Sequence, residues 1–129
     1  MFKFSKEILH RGIDKKSRNW IYGWVYGDDL GVIINASTKR FENDNVVYEV
    51  YPILPNTACR YTGLQDRKGK KIFEKDVLFN PVFADYWICE FDQGCWLVSL
   101  VGNNYRTLLW DVHEDFEVVG DLYYNPEFA

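Results

Sequence analysis

Large apolar side chains recur at every second position in the stretch WIYGWVY, residues 20–26. Trp20, Tyr22, Trp24 and Tyr26 alternate with Ile21, Gly23 and Val25, which is the period of a strand and sets the four rings on one face. Gly27 to Gly31 (GDDLG) predicts a turn, and Val32, Ile33 and Ile34 predict the returning strand, so a hairpin is expected over about 20–34. Upstream, the polar turn Asp14 to Asn19 separates this hairpin from Ile8 to Ile13. In the first ten residues Phe2 and Phe4 alternate as in a strand, while Phe4, Ile8 and Leu9 fit helical spacing; both readings stay open. Downstream, Asn35 to Asn45 reads as a polar loop anchored only by Phe41. Val46 to Tyr51 reads as a strand, ended by Pro52 and Pro55 because proline cannot donate to a ladder.

From Arg60 onward short apolar runs follow one another between turn residues. Strands are expected at 60–65, 73–79, 87–91, 95–100, 107–110, 116–119 and 122–124. Asn80-Pro81 breaks the second of these, and Asp111 to Asp115 forms an acidic turn. If Asp92-Gln93-Gly94 turns the central hairpin, Phe91 faces Cys95 and Cys89 faces Leu97. Many short strands at this spacing predict a mostly β protein with a small barrel-like or pseudo-barrel sheet. The length of 129 residues fits one domain, with an N-terminal hairpin part at 1–58 and a barrel-like part at 59–129.

Composition sharpens this picture. A hydrophobic share of 47% argues against disorder, and 18% aromatics favour strands. No run reaches the ~18 apolar residues of a membrane span, and the start of the chain lacks a signal-peptide core, so a cytoplasmic protein without membrane partners is expected. Cys59, Cys89 and Cys95 are odd in number and lack CxxC spacing, which predicts free thiols rather than a zinc knuckle or redox pair. The net charge of −4 is unevenly spread: residues 60–75 carry +4 and residues 76–129 carry −9. Opposite charges of this size can attract within one fold or between copies.

The basic stretch is RYTGLQDRKGKKIFEK, residues 60–75. Asp66-Arg67-Lys68-Gly69 fits a type I turn, with Asp66 accepting backbone N–H bonds and Gly69 supplying a left-handed φ. Arg60, Arg67, Lys68, Lys70, Lys71 and Lys75 are then candidates for binding a partner, against the plainer reading of a solvated turn. The row Trp20, Tyr22, Trp24 and Tyr26 has two readings as well. It is expected to be the core face, with Ile21 and Val25 outward or toward a second layer, because four large rings carry much of the area a small core needs. The alternative is a stacking surface for nucleic acid, with Lys15, Lys16 and Arg18 nearby.

Catalytic and cofactor signatures are missing. GxxxxGK[ST], GxGxxG, GxSxG and HExxH do not occur, and Gly69-Lys70 is followed by lysine. His113 with Asp111, Glu114 and Asp115 reads as an exposed acidic turn rather than a cation site. No catalytic residue, metal ligand or cofactor is therefore assigned.

YTGLQDRKGKKIFEKDVL, residues 61–78, resembles the YopX-like proteins of phages and prophages. These share an aromatic-Thr-Gly-Leu, an Asp-x-x-Gly-Lys and an Ile-aromatic-Glu-Gly-Asp segment. NWIYGW (19–24) and FEVVGDLYYNPEF (116–128) resemble the family's early and closing segments, in the same order. Lys75 stands where the family usually has glycine, and Cys59-Arg60 where Gly-Gln is common. The resemblance implies a mostly β, barrel-like fold and a phage or prophage setting, and brings no activity. The function expected is that of a non-enzymatic accessory protein, an interaction module for a second copy or for a host or phage protein. The alternative is a nucleic-acid-binding accessory protein.

Overall fold

The computed structural model describes residues 9–26 and 31–129. The open choice between helix and strand for residues 1–8 and the turn expected at 27–30 lie outside the described residues. The fold is mostly β, as expected, and the chain forms two compact units, Met1–Arg60 and Tyr61–Ala129.

The first unit contains β1 (His10–Ile13), β2 (Trp20–Tyr26), β3 (Val32–Asn35), β4 (Arg40–Glu42), β5 (Asn45–Val47) and β6 (Val50–Pro52). The sheet runs β6-β3-β2-β1, all antiparallel, and Cys59 and Arg60 at the start of β7 (Cys59–Gln65) pair with β1. Its core is Ile21, Ile33 and Ile53, with Val25, Tyr51 and Ala58 packed against them. This corrects the expected facing of β2: the aliphatic side of the strand is buried, and the aromatic row lies on the opposite face. Isoleucine and valine stack closely across β2 and β3, where Val25 opposes Ile33. Gly23 lets these strands meet, since a Cβ there would lie 1.8 Å from the Ile34 carbonyl oxygen.

The segment expected as a polar loop carries structure. Asn35 caps a 3-10 turn, Ala36–Thr38, by accepting from the Ser37 N–H at 3.0 Å. A small hairpin, β4–β5, follows, turned by Asn43 and Asp44 with φ of 48° and 67°. Both central residues are left-handed, as a type I′ turn requires. The single strand expected at 46–51 is accordingly two, because Glu49 donates its N–H to the Thr38 hydroxyl instead of a ladder.

The second unit contains the rest of β7, β8 (Lys71–Phe73), β9 (Asp76–Asn80), β10 (Asp85–Asp92), β11 (Cys95–Leu100), β12 (Arg106–Leu108) and β13 (Glu117–Asp121). Five of these form an antiparallel sheet in the order β12-β11-β10-β9-β13. Ile72, Leu78, Trp87, Cys89, Val98, Leu109 and Phe116 make the core. Among the described residues no sheet closes into a barrel, and β12 and β13 are edges.

Four local expectations are corrected here. The β10–β11 hairpin turns on Gln93 and Gly94 alone, both left-handed, so Phe91 faces Trp96 and Cys89 faces Val98. The strand expected at 73–79 is split by Lys75, whose φ is 70°. Its N–H donates to Cys89 O and its carbonyl accepts from Leu122 N, while Asp76 Oδ2 accepts from Phe73 N at 2.7 Å. The strand expected at 107–110 stops at Leu108, and α1 (Leu109–Val112) follows, burying Leu109 and turning Trp110 outward. Residues 122–124 form a turn rather than a strand, held by Asp121 Oδ1 accepting from Tyr123 N and Tyr124 N.

Candidate interaction surface

The basic turn of the second unit is built on Asp66. Its carboxylate is buried and accepts from Lys68 N at 2.8 Å, Lys70 N at 2.9 Å and, across to β13, Val118 N at 2.9 Å. Gly69 has φ of 83° and donates its N–H to Asp66 O at 3.0 Å, closing the turn as the sequence predicts. Arg67 N donates to Phe116 O at 2.9 Å. The turn is thus tied to the 116–118 segment by one main-chain bond and one to the Asp66 carboxylate.

Those side chains have different surroundings. Arg67 and Lys68 lie 3.7 and 3.5 Å from Glu117 Oε1, so basic turn and acidic strand meet within one chain. Lys71 lies 5.5 Å from the Tyr61 ring centroid. Lys70 and Lys75 are exposed, and Arg60 is exposed in the first unit.

Beside the turn is a surface that strand periodicity did not reveal. Arg67, Asn80, Pro81, Val82, Phe83, Glu114 and Asp115 line a cleft of about 280 Å³. An adjoining cleft of about 330 Å³ shares Glu114 and Asp115 and adds Trp110, Asp111 and His113. Val82 is 81% exposed, Phe83 76% and Trp110 74%. Each is held out by the backbone. Asn80 Oδ1 accepts from Val82 N at 2.9 Å and fixes the bend after β9, and α1 presents Trp110 away from buried Leu109. One signal was readable: an apolar pair straight after Asn80-Pro81 has no alternating strand to join.

The predicted aromatic row occupies the first unit. Tyr22 is 38% exposed and Tyr26 49%, while Trp20 and Trp24 are half-buried. Arg11, opposite Tyr22 in the ladder, places its guanidinium 4.2 Å from the Trp20 ring centroid, and Trp24 meets Tyr48 edge-on at 5.7 Å. A shallow cleft of about 370 Å³ is lined by Trp20, Ile21, Tyr22, Asn35, Ala36 and Ser37. In the turn before β2, hydrogen bonds from Ser17 hold the Asp14 carboxyl below its ordinary range.

Other reactive groups are held structurally. His113 Nδ1 lies 2.6 Å from Gln65 O, and among the described residues no group of His, Cys, Asp and Glu is arranged to hold a metal ion. Arg106 bridges Glu90 at 3.2 Å and Asp92 at 2.9 Å, and the Asp92 bond raises its pKa. None of the three cysteines is in a disulfide; Cys59 and Cys89 are buried and Cys95 is exposed. No helix among the described residues is long and apolar enough to cross a membrane.

Comparison with known proteins fits this picture. The YopX protein family matches residues 9–128. The structure is similar to the crystal structure of protein EF1440 from Enterococcus faecalis, with a TM-score of 0.60 at 18% identity, over 95% of this chain and 98% of that one. No curated protein sequence matches the chain. The motif residues have backbone roles here. Thr62 Oγ1 donates to Ile72 O at 2.7 Å and accepts from Leu64 N at 3.2 Å inside the irregular part of β7, where Gly63 has φ of 85°. Asp66, Gly69 and Asp76 hold turns, as does the Asp121–Asn125 pair, in which Asn125 Oδ1 accepts from Asp121 N at 3.2 Å.

Proposed function

This chain belongs to the YopX protein family, and we propose that it is a non-enzymatic interaction module that docks a protein on the second unit. The phage or prophage setting implied by the resemblance is part of that reading. The observation that supports it is the gathering of Val82, Phe83 and Trp110, each about three-quarters exposed or more, around two adjoining clefts. Exposed aromatic side chains held on a rigid base are the residues whose burial dominates protein interfaces. The motif residues Thr62, Asp66, Gly69 and Asp76 make hydrogen bonds within turns and strands.

Site-specific photocrosslinking of the full chain in cells tests this. A photoreactive residue in place of Phe83 or Trp110 should give protein adducts, to this chain or another, that one in place of exposed Lys75 does not. Equal labelling at all three positions would overturn the proposal. A second reading rests on half-exposed Tyr22 and Tyr26. Stacked bases would use them together with Lys15, Lys16 and Arg18. The net charge of −4 opposes it. Salt-sensitive binding of single-stranded oligonucleotides that is lost in Tyr22→Ser/Tyr26→Ser would favour this reading over the first.

A further inference from the structure

We propose that the Phe83–Trp110 face of the second unit is self-complementary and joins two copies of this chain about a two-fold axis. The inference rests on the reading that this face takes a protein, and it identifies that protein as a second copy.

The face carries both signs of charge side by side. Arg67 lines the same cleft as Glu114 and Asp115, and Lys68 stands next to it against Glu117. The other end of the face is acidic, with Asp111 beside the exposed Trp110 indole. In a two-fold contact both copies present one patch, so a residue that meets a given partner residue is met by it in return. A patch of one sign repels its own copy. A patch with a basic and an acidic end matches a copy turned end for end, each basic turn meeting the other's acidic corner.

The chemistry of the acidic corner selects the same occupant. Carboxylates around an exposed indole suit an incoming lysine or arginine, which gains an ion pair and a ring face together. A second copy brings to that corner its own Arg67–Lys68 turn, whose two cations share the single carboxylate of Glu117 and so keep a net positive charge. A second copy satisfies both ends. Exposed ion pairs hold weakly by themselves, so the charges set register and encounter rate, and burial of Val82, Phe83 and Trp110 supplies the affinity.

Sedimentation velocity of the full chain, from about 1 to 100 µM, tests the proposal. It expects a monomer–dimer equilibrium that weakens between about 0.1 M and about 1 M salt as the screening length shrinks. Phe83→Ser/Trp110→Ser alters exposed side chains, so melting should be unchanged while dimerisation weakens by about thirtyfold or more. Glu114→Lys/Asp115→Lys and Arg67→Glu/Lys68→Glu should each be monomeric alone, and mixing them should restore a heterodimer. A monomer at every concentration and salt overturns the proposal. So does a dimer indifferent to Phe83→Ser/Trp110→Ser, a mixture of folded charge variants that stays monomeric, or an assembly of more than two copies. Should a charge variant melt early, the Phe83→Ser/Trp110→Ser result decides alone. A monomer that still crosslinks to another protein through Phe83 or Trp110 would refute the dimer and keep the interaction module.

Discussion

Lys75 occupies a backbone conformation that its side chain opposes. Its φ of 70° lies in the left-handed region, where a Cβ costs roughly 1–2 kcal/mol. The conformation persists because Cys89 O and Leu122 N fix the peptide groups on either side. Lys75→Gly relieves that strain and gives back about 0.4–1 kcal/mol through a freer unfolded chain. The net expectation is a gain of up to about 1 kcal/mol, read as a higher urea midpoint at unchanged slope. Gly23 presents the opposite case. Gly23→Ala puts a methyl group 1.8 Å from the Ile34 carbonyl oxygen, so β2 and β3 must separate. A loss of about 3 kcal/mol or more is expected. A Gly23→Ala protein with the parent midpoint would contradict the close approach of these strands.

Among the elements, the 66–70 turn depends most on one side chain. Asp66 satisfies two N–H groups of its own turn and one of β13. Asp66→Asn keeps the size but weakens those bonds, while Asp66→Ala leaves them unmet in a buried site. An unmet buried donor costs ~1–3 kcal/mol, and these three are part-buried with Lys68 and Lys70 open to water, so Asp66→Ala should destabilise the second unit by about 2 kcal/mol. Hydrogen exchange should locate the loss at Lys68, Lys70 and Val118, and slow exchange there in the alanine variant would remove Asp66 from this role. The β4–β5 hairpin is differently placed. Phe41 and Val46 are opposed in its ladder and both exposed, so its stability rests on the Asn43-Asp44 turn rather than on burial.

At the scale of the whole molecule the thiols give a simple readout of both cores. Cys89 lies in the core of the second unit, Cys59 is buried at the start of β7, and Cys95 is exposed. A thiol reagent should therefore modify Cys95 quickly and the other two only on unfolding, and reductant should leave the melting temperature unchanged. Fast modification of all three in the native protein would contradict the packing of both units.

Much of this architecture was legible in local chemistry. The β content follows from short alternating runs, and the 66–69 turn from aspartate and glycine at fixed offsets, because both patterns act over a few residues. The lack of a disulfide follows from number and spacing. The facing of β2 was not legible, because alternation says that two faces differ and not which one is buried. That was decided by Ile33 and Ile53, which offer the Ile21 side an aliphatic surface. The type I′ turns at Asn43-Asp44 and Gln93-Gly94 and the break at Lys75 were hidden for a related reason. Lys75 enters left-handed φ because Cys89 O and Leu122 N, both far away in sequence, hold its peptide groups, while the other two turns depend on a strand register that alternation alone leaves open. The exposure of Val82, Phe83 and Trp110 belongs to the same class. An apolar residue reads as core in the sequence, and only the fold, having filled its interior with other side chains, shows which ones were left outside.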